Sequence, residues 1–384
     1  MGVWWSLPES GWWPMRTSTR LAALVAGAVI SLTSSVPAQP LTTESPVSSY
    51  QSNNRHSGYA PTTFAPPLTL SWSRAVKEPQ YPVVASGRLF ISHYVGSSHV
   101  TAYSLSSGRR LWYRALGERA LLGYGSGRLF AVLGNCIVLA LDPATGVTLW
   151  ARKFWEHASC EAPPVVAAGN VYVHNSRSSN HLFALDVTDG ELQWSKSVGP
   201  VASVAPAVTA DAIYVAGSVD TWAFRHDGRL IWHKECCGLN VGTPSLYRGR
   251  LYLLDGEVLD LATGNQVGTL ASEAPLAFAD GTAFRILDGK LDAVDLATGS
   301  VKWSFTSPAK IMAPPLVVGS YVYVGDYDGN LTGLRRSDGH PTWFDTTGRY
   351  LNSGDGSLSF GGFGAAEHRL IAPSHGSLRV YEPN

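Results

Sequence analysis

One phrase returns down the chain and limits its fold more than any other feature. It is an apolar strand, a turn with glycine, then a strand ending in tryptophan. Ala140-Leu-Asp-Pro-Ala-Thr-Gly146-Val-Thr-Leu-Trp150 is the clearest copy. Others run from Ala102 to Trp112, Ala184 to Trp194, Ala293 to Trp303 and Gly333 to Trp343. In each, glycine stands four residues before tryptophan: Gly108, Gly146, Gly190, Gly299 and Gly339. Ala223 to Trp232 is one residue shorter and keeps the spacing at Gly228. Val258 to Gly268 keeps Leu-Asp-Leu-Ala-Thr-Gly264 and has lost its tryptophan. Ahead of each phrase lie two more strand signals, such as Pro164-Val-Val with Asn170-Val-Tyr-Val. Four short strands, A to D, over about 40 residues is the spacing of a propeller blade. No stretch after the N-terminal apolar run shows capped helix periodicity.

Counting strands predicts how the ring closes. A strands are expected near Pro82, Ala120, Pro164, Pro206, Pro244, Pro275, Pro315 and Ser359, giving eight blades. The last blade reaches a C strand at Leu378-Arg-Val-Tyr381 with no D strand after it. Leu68-Thr-Leu-Ser-Trp72-Ser-Arg-Ala is a D strand with no blade before it. Pairing 68–75 beside 378–381 removes two open sheet edges. The expected fold is all-β, an eight-bladed propeller of four-stranded antiparallel blades over 67–384. Trp72, Trp112, Trp150, Trp194, Trp232, Trp303 and Trp343 are expected to dock on the next blade's glycine turn, each contributing roughly 1.5–3 kcal/mol. The phrase at Gly264 to Gly268 should mark the least well-cemented outer strand.

The N-terminus reads as an export signal over 1–38. Arg16 and Arg20 precede an apolar run, Leu21 to Leu32, too short to span a bilayer, and Val36-Pro37-Ala38 has the small-residue cleavage pattern. The tryptophan-rich stretch before Met15 fits no n-region, which places the expected start of translation at Met15. Cleavage after Ala38 removes Arg16, Arg20 and Glu9 and takes the net charge from zero to −1. No cysteine follows the apolar run, so no lipid anchor is expected, and no other stretch is apolar enough to span a membrane. The mature chain is expected outside the cytoplasm, periplasmic or extracellular. With 29 basic and 29 acidic residues and no basic patch, nucleic acid is not an expected partner.

Ala-Leu-Asp-x-x-Thr-Gly-x-x-x-Trp at Ala140 resembles the tryptophan-docking motif of the pyrroloquinoline quinone (PQQ) repeat propellers. That family includes quinoprotein alcohol dehydrogenases and the non-enzymatic propeller subunit of the bacterial outer-membrane protein assembly machine. Tyr50-Gln-Ser-Asn-Asn-Arg-His56-Ser-Gly58-Tyr, in the lead-in at 39–66, resembles the opening of many exported PQQ-like repeat proteins. The resemblance covers about 48–384. It implies the fold and leaves function open, since enzymes and scaffolds share the motif.

The cysteines Cys136, Cys160, Cys236 and Cys237 all map to the face formed by B–C turns and D–A connections. Three pairings exist for four cysteines. Cys136–Cys160 is the local bridge and leaves Cys236–Cys237 as an adjacent pair. In PQQ dehydrogenases a vicinal disulfide covers the cofactor, so the resemblance makes Cys236 and Cys237 candidate cofactor residues, with Glu118, Arg119 and Asp355 on the same face. The commoner role of exported cysteines is to staple loops. His157, Cys160, His233 and Cys236 form two His-x-x-Cys pairs on that face and are candidate zinc ligands, although an exported location favours disulfides. Asp326-Tyr-Asp328-Gly-Asn330 resembles the start of a Ca²⁺ loop, but Ser337 stands where an EF-hand needs glutamate, and turn chemistry is the simpler reading.

The innermost strands are small or apolar, with Arg248 and Asp280 as their only expected charges. A tricarboxylate such as PQQ needs cations to offset its desolvation. No Gly-x-Ser-x-Gly, Walker loop, His-Glu-x-x-His or haem Cys-x-x-Cys-His occurs. The preferred reading is therefore a non-enzymatic binding or scaffold propeller with no cofactor and no catalytic residue. Its expected partner is a protein or envelope polymer on the loop face, where Trp155 and Tyr350 are candidate sugar-stacking aromatics. The alternatives are a PQQ- and calcium-dependent dehydrogenase and a propeller binding carbohydrate or cell-envelope polymer.

Overall fold

A computed structural model describes residues 46–94, 98–153, 159–175, 180–199, 204–235, 242–351 and 361–384. The expected signal segment 1–38 and Met15 lie outside the described residues, as do His157, Cys236, Cys237, Asp355 and Trp155.

The described chain forms eight sheets, each with one four-stranded antiparallel blade. A strands run Val83–Ala85, Ala120–Gly125, Val165–Ala167, Ala207–Val208, Ser245–Tyr247, Ala277–Ala279, Leu316–Val318 and Gly364–Ala366. The eighth begins later than the expected Ser359, a residue outside the described set. A Cβ at Gly364 would lie 2.6 Å from Pro82 Cγ of blade 1, so the two blades meet where this short glycine–alanine strand runs. Leu68–Val76 pairs antiparallel with Gly376–Pro383, Leu68 opposite Pro383 and Val76 opposite Gly376. The ring therefore closes with the strand from the chain's beginning as the D strand of blade 8. The helical turn Tyr50–Ser52 is the one helical element among the described residues, and none is long and apolar enough to cross a membrane.

The tryptophans cement neighbouring blades in one repeated geometry. Trp112 Nε1 donates to Pro143 O at 3.0 Å, Trp150 to Val187 O at 3.1 Å, and Trp232 to Leu261 O at 2.9 Å. Trp72, Trp194, Trp303 and Trp343 donate likewise to Leu105, His226, Arg336 and Leu68. In six of them the indole lies on the glycine of the next blade's turn, as where a Cβ on Gly146 would sit 2.8 Å from Trp112 Cδ2. Trp343 departs from the expectation, because blade 8 takes its D strand from the chain's beginning and offers Leu68 in place of a glycine turn. In two copies the arginine two positions after the tryptophan reaches the same turn. Arg74 Nε donates to Gly108 O and Arg114 Nη1 to Gly146 O. Blade 5 is the exception. Its D strand, Gln266–Thr269, is exposed at every residue, and Gly299 has nothing within 4 Å of where its Cβ would be.

The lead-in is built into the ring. Between Val47 and Thr62 it meets all eight blades in order. Val47, Ser48, Asn54, Arg55, Ser57 and Gly58 offer their carbonyls to the amides of Val84, Tyr124, Val208, Leu246, Phe278 and Val317. Asn54 Nδ2 donates to Val166 O in blade 3, and His368 N of blade 8 donates to Thr62 Oγ1. The segment thus pairs the inner sheet edges that a bare ring leaves open. Tyr59–Ala60 adds a short parallel strand to Leu316–Val318.

Candidate functional site

Blade topology puts B–C turns and D–A connections on one face, opposite the A–B turns along which the lead-in runs. Cys136, in the B–C turn of blade 2, and Cys160, in the connection leaving it, form a disulfide with Cα atoms 4.9 Å apart. Both are buried among Phe130, Val132, Val138 and Trp150. A pocket of about 250 Å³ beside the bridge is lined by Glu118, Arg119, Leu121, Gly134, Ser159, Cys160 and Glu161. It gathers two of the expected cofactor candidates, Glu118 and Arg119, while Cys236, Cys237 and Asp355 lie outside the described residues. Of the candidate zinc ligands, Cys160 has its sulfur in the disulfide, which leaves no thiolate there to hold a metal. His233 Nε2 lies 2.9 Å from Asp220 Oδ1, and its ring stacks on Trp222 at 5.0 Å.

The two charges expected at the ends of the innermost strands fall just beyond them. Arg248 and Asp280 are not in A strands; both occupy A–B turns with left-handed backbone, at φ 48° and 47°. Arg248 lies over the Tyr247 ring and Asp280 pairs with Arg336. A two-residue turn must reverse the chain between tightly packed strands, and that puts the polar residue there rather than on the wall. The wall near the lead-in is Tyr50, Tyr81, Pro314, Pro315, Leu316 and Phe363, around the Gln51 side chain. Burial pushes the Tyr50 and Tyr81 hydroxyls well above their ordinary range, so both stay neutral. Among the described residues this stretch of wall carries no cation that would offset the charge of a tricarboxylate. Asp326 is a turn residue: its carboxylate accepts from Ser307 Oγ, Asn330 Nδ2 and the amides of Ala309, Asp328 and Asn330. Burial raises the acid's pKa, and these donors more than offset it, holding it below the ordinary range.

A recess on the loop face lies where blade 7 meets the closing blade. A cleft of about 820 Å³ is lined by Ala75, Val76, Lys77, Glu78, Thr347, Arg349, His375, Gly376, Ser377 and Arg379. The connection leaving blade 7 is seated on its own B–C turn at Gly329, where a Cβ would lie 2.3 Å from Arg349 O. That seat brings Tyr350 between two rings. Tyr327 stacks on it at 5.5 Å and 8°, and His375 at 5.2 Å and 19°. His375 N donates to Tyr350 O at 3.0 Å, which ties blade 8 to the stack. Tyr327 is 57% exposed, and Lys77 and Arg349, which line the cleft with His375, are exposed as well. Among the described residues Lys77 and Arg349 meet no carboxylate within ion-pair distance, whereas Arg379 is 3.7 Å from Asp345. His375 Nδ1 is buried with no hydrogen-bond partner.

The sequence singles out Tyr350 on this face but not Lys77, Tyr327, Arg349, His375 or Arg379 as part of a cleft. Lys77 and His375 are distant in sequence and meet only because the ring closes, so the signal lay in combining the closure with the B–C turn positions.

Comparison with known proteins follows the same lines. A family model described as outer membrane protein assembly factor BamB matches residues 96–245 and 254–380. The assembly factor BamB of Yersinia pestis is 30% identical over 145 residues, 37% of this chain and 36% of that protein. The matched stretch thus spans about a third of that relative. The structure is similar to BamB from Moraxella catarrhalis, with TM-score 0.67 and 20% identity over 83% of this chain and 98% of that one. It is also similar to a quinohemoprotein alcohol dehydrogenase from Comamonas testosteroni, with TM-score 0.70 and 14% identity over 88% of this chain and 80% of that one. At those identities the two structural likenesses speak to fold alone.

Proposed function

The chain belongs to the PQQ-repeat propeller family described as outer membrane protein assembly factor BamB, and on that premise we propose that it is an exported, non-enzymatic binding propeller. Its partner is an acidic segment of another protein, taken up on the loop face. The observation that carries this reading is the cleft between blades 7 and 8. Two cations of the cleft have no carboxylate partner among the described residues, and His375 beside them belongs to an aromatic stack, an arrangement that favours an anionic chain with apolar or planar groups. Each exposed ion pair is worth at most about 1 kcal/mol, so binding needs several contacts and weakens with salt. The Cys136–Cys160 bridge keeps a second stretch of the same face rigid, and rigid surfaces lose less entropy on binding. The lack of a cation among the described residues of the wall near the lead-in favours this reading over the quinoprotein alternative.

The aromatic stack also suits a sugar ring, so the test separates the two polymers. The mature protein is titrated calorimetrically with a tyrosine-capped oligoglutamate, its oligoglutamine counterpart and an oligogalacturonate. Oligoglutamate is expected to bind, to weaken with salt, and to lose at least tenfold affinity in the Lys77→Glu/Arg349→Glu variant. Binding of oligogalacturonate alone would transfer the site to envelope polymer. No binding of either would remove the cleft as the functional site.

A further inference from the structure

The rim between blades 5 and 6 holds a tryptophan seat that the chain itself does not fill. Six other glycine turns of this kind are each covered by the preceding blade's indole. A Cβ placed on Gly108, Gly146, Gly190, Gly228, Gly264 or Gly339 would lie 2.5 to 2.9 Å from a tryptophan ring atom. At Gly299 it would meet nothing within 4 Å. The glycine is exposed, whereas Gly108, Gly146, Gly190, Gly228 and Gly264 are buried.

The vacancy comes from one position. Register places Gly268 opposite Val258, where Trp112 stands opposite Ala102 and Trp303 opposite Ala293. The turn that would receive the indole keeps its shape. Gly299 N donates to Asp295 O at 2.7 Å, and Asp295 Oδ1 accepts from the amides of Ala297 and Thr298. The turn at Gly146 is built the same way on Asp142. Leu296 stands three residues before its glycine, as do Pro143 and Leu261, the carbonyl acceptors in their blades. The inner part of the interface is filled differently. In blade 4 the B-strand ring, Tyr214, packs on its own blade's Trp232 at 6.0 Å. Tyr252 of blade 5 instead packs on Phe278 of blade 6 at 4.7 Å, and Phe278 stacks on Tyr247 at 4.8 Å. These rings supply the inter-blade packing that the missing tryptophan does not, and the outer seat stays open to solvent.

We propose that the seat over Gly299, beside Gly268, receives the indole of a tryptophan presented by a partner protein. The occupant's chemistry follows from the occupied copies: a flat, large apolar ring with one N–H to donate to the Leu296 carbonyl. Val258 does not bar it, because Trp72 sits opposite Val380 in blade 8. The seat lies at a C–D turn, on the face opposite the cleft, so this inference stands independently of the loop-face reading.

The test uses N-acetyl-tryptophanamide as the probe, followed by ligand-observed NMR on the full mature protein. A single indole group is expected to bind in the roughly millimolar range, since one ring must offset the entropy of association. N-acetyl-leucinamide should bind at least tenfold more weakly. Gly268→Trp fills the seat in cis and should reduce probe binding at least tenfold. The same variant should raise the melting midpoint by about 2–4 °C. Gly268 has ordinary backbone and its nearest neighbour is Val258 Cβ at 4.0 Å, so the substitution is sterically open. Should that variant misfold, Gly268→Leu provides a smaller plug with the same expected loss of binding. Absent probe binding to the wild-type protein, or binding unchanged by either plug, would overturn the proposal.

Discussion

Replacing Trp72 tests ring closure directly, because that buried side chain belongs to the strand that imports the chain's beginning into blade 8. Trp72 is 7% exposed, donates to Leu105 O at 2.8 Å and carries the Arg74 guanidinium 5.7 Å above its ring. Trp72→Ala removes a large buried aromatic, which costs about 3–5 kcal/mol. Leaving the Leu105 carbonyl without its donor adds about 1 kcal/mol. The partner side of the joint supplies an internal control. A Cβ at Gly108 would lie 2.5 Å from Trp72 Cδ2, and φ there is 63°. Gly299 has φ 75° in the same kind of turn with no indole above it. Gly108→Ala therefore adds both backbone strain and a clash, while Gly299→Ala adds strain alone, about 1 kcal/mol. Urea unfolding followed by near-ultraviolet circular dichroism measures all three. The Trp72→Ala/Gly108→Ala double variant should cost less than the sum of its parts by at least about 1 kcal/mol, since the clash disappears with the ring. A Trp72→Ala cost below about 1 kcal/mol would refute the reasoning, as would strict additivity in the double variant.

Cys160→Ser should lower stability by about 3 kcal/mol, the chain-entropy value for a 24-residue separation, read as a lower urea midpoint that matches the reduced wild type. His174 is fully buried, and burial together with nearby His181 pushes its pKa down to about 3. The unfolded chain then binds this proton more readily, so the stabilisation is present above about pH 6.5 and is lost as pH falls towards 3, in total on the order of 5 kcal/mol. His174→Leu should flatten the melting-temperature profile across that window, and a profile as steep as wild type would contradict the assignment. Gly58→Val should unseat the lead-in, because φ there is 60° and a Cβ would lie 2.6 Å from Ala277 Cβ; faster amide hydrogen exchange at Phe278 and Val317 reports it.

Blade count and closure were legible because they rest on local chemistry. An Asp-x-x-Thr-Gly turn must bend one way, and a tryptophan four residues after its glycine has one neighbour to cover. The blade lacking its tryptophan was visible for the same reason. The lead-in's path was not legible. Its bonds run from backbone carbonyls to A-strand amides, and such bonds leave no periodicity in the side chains. The A strand placed near Ser359 starts at Gly364 because a three-residue Gly-Ala-Ala strand carries no β-branched or aromatic mark. Arg248 and Asp280 were assigned to strands rather than turns for a related reason: the A–B reversal takes two residues, and its glycine follows rather than precedes the charged one. The cleft was only half legible, since Lys77 and His375 approach through closure rather than through neighbourhood in sequence.

The central claim is that the closing-blade cleft is a binding surface for an acidic protein segment, and zero-length carbodiimide coupling tests it most directly. The reagent joins a carboxylate to a lysine amine only where the two are in contact, and Lys77 is the lysine lining the cleft. The mature protein is coupled to the tyrosine-capped oligoglutamate at low salt and digested, and the adducts are located by mass spectrometry. The account predicts a dominant adduct at Lys77 that falls at least tenfold in the Arg349→Glu variant. Adducts spread evenly over Lys153, Lys196, Lys290 and Lys310, with Lys77 no more reactive than these, would contradict it.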